Sequence, residues 1–137
     1  GQNIVRNGAE AVRVFEYRYH EKDDIVYDIA GWFKKTYPAD AKILADHPVF
    51  ANLSPEYKNV KFLVHKTDRM SQIRPLVIYF RPAVLYLNMG KLGDGDVPPI
   101  ETILPDLKVK LVKSFSGDSK YYRRRPGAVY KVYEIGY

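Results

Sequence analysis

The chain contains no cysteine. Disulfides and thiolate metal sites are therefore excluded, and the fold must hold by packing alone. This suits the cytosol and equally a periplasmic protein that needs no bridges, so the compartment stays open. No apolar run approaches membrane-spanning length; the longest are of five residues, Leu76-Val77-Ile78-Tyr79-Phe80 among them. No signal peptide is recognisable. Gly1 opens the chain without Met, which points to an upstream segment cut away, able to carry a targeting sequence with it. Histidine is scarce too. His20, His47 and His65 fall in three separate segments, none at metal-ligand spacing, and read as surface or hydrogen-bonded residues.

The usual signatures of chemistry are missing as well. No Ser sits in a nucleophile elbow, and no Gly-rich loop joins a strand to a helix as a phosphate cradle requires. Asp94 and Asp96 lack the further ligands and closing Glu of a calcium loop and read as a Gly-Asp turn. Pro105-Asp106-Leu107-Lys108 superficially matches a nuclease motif but has no later acidic-x-Lys partner. These absences lead us to expect a non-enzymatic protein with no metal and no cofactor.

What is present is a globular composition. At 137 residues, 46% hydrophobic and 28% charged, the chain fits a single domain able to bury a real core. Its aromatics come mostly from 12 Tyr, against 6 Phe and 1 Trp. Tyr joins an apolar body to a polar tip, so the excess leans towards half-buried strands and contact surfaces. The net charge of +6 is uneven: residues 1–53 carry 7 Lys/Arg against 8 Asp/Glu, residues 54–137 carry 15 against 8. A basic half can steer towards nucleic acid, lipid head groups or an acidic protein, or can be a solvated face with no special partner.

Along the chain, Ala11–His20 reads as a strand, the adjacent Val14 and Phe15 suggesting a bulge or a strand covered on both faces. Asp23-Asp24 then offers an N-cap for a helix with Ile25, Ile29, Trp32, Phe33 and Thr36 at helical spacing. Lys34 and Lys35 suit its last turn, and Pro38 stops it. Pro38–Asp46 suggests a second short helix, and Ser54-Pro55-Glu56 a turn. Beyond it Val60, Phe62 and Val64 alternate with Lys61, Leu63 and His65. Leu76–Phe80 and Ala83–Leu87 are apolar runs of central-strand type, separated by Arg81-Pro82 as a tight turn or a bend. Gly93–Asp96 with Pro98-Pro99 is a loop. Leu107, Val109 and Leu111 mark a half-exposed strand, residues 117–127 a basic connection, and Ala128–Ile135 the final strand. The expected class is α+β, mainly β: an antiparallel β-sandwich or barrel of about six strands with a helical insertion after the first.

One composite segment stands out, Lys120-Tyr121-Tyr122-Arg123-Arg124-Arg125, where arginines suit phosphates and tyrosines suit stacking on bases. No RNA- or DNA-binding signature surrounds it, and a charged, soluble hairpin loop accounts for it too.

Four stretches follow one another in a recognisable order. They are Asn3–Gly8 on to Ala11; Val12-Arg13-Val14-Phe15-Glu16-Tyr17; the helix with Asp40–Asp46 and Leu53-Ser54-Pro55; and Val77-Ile78-Tyr79-Phe80-Arg81. Over residues 3–90 this resembles the TssJ family, the outer-membrane lipoproteins of the bacterial type VI secretion system. The stretches match in turn that family's Asn-to-Gly loop, its Val-Arg-Ile-Tyr-Gln-Leu strand, its helical insertion with a Leu-x-Pro-Gly turn, and its apolar strand ending in Phe-Arg or Tyr-Arg. The acylated cysteine is absent, the family's first strand is truncated, and residues 114–137 form a basic extra tail. The resemblance implies a sandwich tethered by lipid at the periplasmic face of the outer membrane. It would bind the periplasmic part of the inner-membrane protein TssM through the loop made here by Asn3, Ile4, Val5, Arg6, Asn7 and Gly8. The alternative is a nucleic-acid-binding module using the basic C-terminal half.

Overall fold

The computed structural model describes residues 24–46, 54–64, 68–89, 99–117 and 129–137. Its elements are α1 (Ile25–Thr36), β1 (Ile43–Ala45), β2 (Val60–Phe62), α2 (Met70–Phe80), β3 (Val84–Asn88), α3 (Ile100–Ile103), β4 (Lys108–Ser116) and β5 (Val129–Gly136). The five strands form one sheet in the order β2-β1-β3-β5-β4. β1 pairs in parallel with both β2 and β3, while β5 lies antiparallel between β3 and β4. The class is α+β with a mixed sheet, not a closed barrel and not wholly antiparallel. The expected strand at 11–20 lies outside the described residues, as would any second sheet built from it.

α1 forms for the reasons its sequence offers. The Asp24 carboxylate accepts the Val26 N–H at 3.1 Å, Asp28 sits in the first turn, and Lys34 and Lys35 complement the dipole in the last. Val26, Ile29 and Phe33 share the buried stripe. They meet Ile43, Ala45, Val84, Tyr86, Tyr130 and Val132 on one face of the sheet. The alternate residues Leu44, Leu85, Leu87, Tyr133 and Ile135 face the other way, onto Ile73 and Val77 of α2 and Ile100 and Leu104 around α3. Strand alternation thus sends successive side chains into two cores, and the central strand β3 is buried at all five positions.

Three expectations are corrected. Leu76–Phe80 is not a strand but the second half of α2, with Pro75 inside it. The segment matched to the family's apolar strand, residues 77–81, is therefore helix running into a left-handed cap at Arg81. Pro38–Asp46 is not a helix; it delivers the fully buried strand β1. Three residues suffice there because β1 hydrogen-bonds on both sides and leaves no polar group stranded in the interior. Arg81-Pro82 joins helix to strand, neither a hairpin turn nor a bent strand.

Phe33 is the keystone of the first core. Fully buried, it meets Tyr86 at 5.7 Å and Trp32 at 5.3 Å between ring centroids, both edge-on. Replacing Phe33 by Ala should cost about 3–5 kcal/mol of unfolding free energy, read from urea denaturation midpoints.

Candidate functional site

In sheets with parallel strands, ligands and chemistry gather beyond the carboxyl ends of those strands. Here that edge is marked by Asp46 after β1, by Asn88 ending β3, and by Arg69 opening α2. Asp46 is wholly buried, Asn88 is 1% exposed and Arg69 8%. One carboxylate oxygen of Asp46 pairs with the Arg69 guanidinium. The other accepts the backbone N–H of Asn88 at 2.8 Å. The Asp46 N–H in turn donates to the Tyr86 carbonyl at 3.0 Å, carrying the β1–β3 pairing one residue further. A single carboxylate therefore joins two parallel strands and a helix start.

The helix start is fixed independently. The Asp68 carboxylate accepts the Met70 N–H at 3.0 Å, in place of a cap that Arg69 cannot supply. The Gln72 amide spans Val64, accepting its N–H and donating to its carbonyl, each at 2.7 Å. This two-sided bond ties α2 to the exit of β2. Arg69 is thus held in place before it meets Asp46, which favours one geometry for the ion pair. Its Nη2 is buried without a hydrogen-bond acceptor among the described residues, an unmet donor beside a charge-balanced pair.

The opposite edge carries a second polar cluster. The Tyr57 hydroxyl reaches two carbonyls at the end of α1, Phe33 at 2.6 Å and Tyr37 at 2.9 Å. The Tyr37 hydroxyl donates to Glu134 of β5 at 2.7 Å. Burial first, then that hydrogen bond and the nearby negative charge, raise the Tyr37 hydroxyl above the ordinary tyrosine value.

The sequence candidates stand apart from both clusters. Asn3, Ile4, Val5, Arg6, Asn7 and Gly8 lie outside the described residues. So do Lys120, Tyr121, Tyr122, Arg123, Arg124 and Arg125, and so do His20, His47 and His65. Asp106 is described, and its carboxylate is engaged with Arg74 at 2.7 Å on the surface. Among the described residues no three His, Asp or Glu side chains come together as a metal ion would need, and no helix is long and apolar enough to cross a membrane. Sequence reasoning missed the Asp46–Arg69–Asn88 cluster. The one available signal was an Asp placed directly after the apolar run Ile43-Leu44-Ala45. No protein-family model matches the chain, and neither does any curated protein or solved structure.

Both clusters can be tested by substitution. Arg69→Met removes the guanidinium from the buried Asp46 carboxylate, and should cost about 3–5 kcal/mol. Asp46→Leu combined with Arg69→Met should recover most of that loss, so a double-mutant cycle by urea denaturation exposes the coupling. On the alkaline side, an unfolded tyrosine ionises near pH 10 while folded Tyr37 keeps its proton. Above that pH the folded chain binds more protons than the unfolded one, so stability falls as pH rises. Tyr57, Tyr133 and Tyr137 are raised by burial and act in the same direction. Tyr37→Phe should flatten the decline in melting temperature between about pH 9 and 11.

Proposed function

We propose that the chain is a non-enzymatic interaction domain of a bacterial envelope secretion machine, the role its resemblance to TssJ implies. The observation that carries the non-enzymatic part is the engagement of Asp46. At the edge where this kind of sheet ordinarily offers its reactive groups, both carboxylate oxygens serve the scaffold. A carboxylate pinned this way is a strut between strands, which suits a domain whose work is to hold a shape for a partner. On the resemblance, that partner is the periplasmic part of a TssM-like protein and the contact is made by Asn3–Gly8, the stretch that matches the family's Asn-to-Gly loop.

A second reading, nucleic-acid binding, draws support from β4. Among the described strands β4 lies at the sheet edge with Lys108, Lys110 and Lys113 exposed, and Lys120 and Arg123–Arg125 follow it in the sequence. Lysines on an exposed edge also guard against strand pairing between molecules, and this ordinary role makes the reading second.

Calorimetric titration of the chain with a purified TssM periplasmic region tests the first reading. Binding that Asn7→Ala and Gly8→Val weaken by about tenfold supports it; no heat, or heat indifferent to both changes, overturns it. Filter binding of a single-stranded oligonucleotide tests the second. Neutralising Arg123, Arg124 and Arg125 should there lower the log–log salt slope by roughly 0.7–0.9 for each phosphate no longer engaged.

A further inference from the structure

α2 is a surface helix with the composition of a buried one. Ile73 and Val77 are fully buried against the sheet, and such a helix ordinarily turns charge outward on its other side. Here Ser71, Pro75, Ile78 and Tyr79 are the exposed positions, and the sole charge of the helix, Arg74, is paired with Asp106. Ile78 is 57% exposed and Tyr79 79%, side by side in the last turn.

Cations gather around that turn. Lys42 Nζ stands 4.9 Å and Lys61 Nζ 5.7 Å from the centre of the Phe80 ring. The Arg81 guanidinium lies 4.2 Å from the centre of the Tyr137 ring, whose hydroxyl is tied to the Pro82 carbonyl at 2.6 Å. Arg81 itself caps the helix in the left-handed region, φ 54°, where glycine is the common occupant. The chain keeps a guanidinium at a position whose backbone favours a residue without one.

We propose that this corner docks on an anionic lipid surface, with Ile78 and Tyr79 entering the headgroup boundary and Lys42, Lys61 and Arg81 reaching the phosphates. Tyrosine with an aliphatic neighbour suits that boundary, and lysine and arginine extend from apolar stems to charged headgroups. Two apolar side chains make a small centre for a specific protein interface, which buries on the order of 1,200–2,000 Å². Against lipid, the three cations and the net charge of +6 add their attraction to the same contact. Tyr79 also offers a ring on which a base can stack, so binding of an oligonucleotide is one of the outcomes the test distinguishes. The inference rests on α2 and its neighbours alone and goes beyond the assembly reading.

The test is flotation of the full chain with phosphatidylcholine vesicles, with and without about one-third phosphatidylglycerol. Association with the anionic vesicles, weakening with salt and at least about tenfold stronger than with the neutral ones, is expected. Arg81→Glu and Lys61→Glu should each reduce it by about fivefold or more. Ile78→Ser with Tyr79→Ser should reduce it further at an unchanged melting temperature, since both side chains are exposed. Tyr79→Trp reports the orientation: brominated lipid should quench it, while the native Trp32, on the opposite face of the sheet, should give an unquenched signal in the parent chain. Equal association with neutral vesicles, indifference to these substitutions, or binding of poly-glutamate or an oligonucleotide without binding of vesicles would overturn the lipid assignment. The Ser double variant should keep any TssM binding, so failure here and failure of the assembly reading are seen separately.

Discussion

Asp46 ends the shortest kind of strand with a carboxylate fully shut off from water. A buried ion obliges its surroundings to compensate, and that requirement organises the upper edge of the molecule. Arg69 must lie within reach, so α2 must begin where it does. The Asn88 N–H must point inward, so β3 must hold its register with β1 to the last residue. Side chains widely separated in the chain are brought to one point by a charge that tolerates no other arrangement. The pair adds little net stability over well-packed apolar residues of the same volume, but it makes misregistered pairings costly, because each would strand a charge.

The two faces of the sheet answer to different chemistry. The α1 face is aromatic: Phe33, Tyr57, Tyr86, Phe115 and Tyr130 pack with Trp32 and Tyr37 at the margin. Rings set edge to face leave their polar tips at the periphery, where Tyr37 and Tyr57 bond Glu134 and the carbonyls of α1. The α2 face is mostly aliphatic, with Leu, Ile and Val filling the space between helix and strands. Aromatic geometry fixes the angle of α1 on the sheet, whereas α2 depends on polar ties at its start, through Gln72 and Arg69.

How far the sequence is legible follows from how local each signal is. α1 is readable because its cap, stripe and basic last turn all fall within a few residues. β4 and β5 are readable because one side of each meets solvent or partly exposed layers, although in β4 the alternation holds only to Lys110, where an irregularity turns Leu111 outward. α2 reads wrongly as strand because its outward positions are apolar too and Pro75 interrupts it, so Leu76–Phe80 presents five apolar residues in a row with no helical period. β1 reads wrongly as helix because three buried residues carry no alternation at all, and the alanines around them favour a helix. The Asp46 cluster is invisible because it exists through parallel pairing between β1 and β3, a long-range fact with no local trace. The N-terminal loop and the Lys120–Arg125 segment lie outside the described residues, so the sequence reading of them stands as a reading.

The position of β5 has a consequence for how the chain comes into being. Residues 129–136 supply a strand that lies between β3 and β4, pairing with both. During synthesis β3 and β4 emerge before it, and neither can pair with the other across the gap it will fill. Until then, among the described strands, β3 has one side open and β4 has no partner, so the five-stranded sheet is completed by insertion rather than by growth at an edge. A nascent chain of this design exposes apolar strand surface until residues 129–136 have left the ribosome, and a ribosome that stops before residue 129 releases, among the described strands, a three-stranded piece and an unpaired β4.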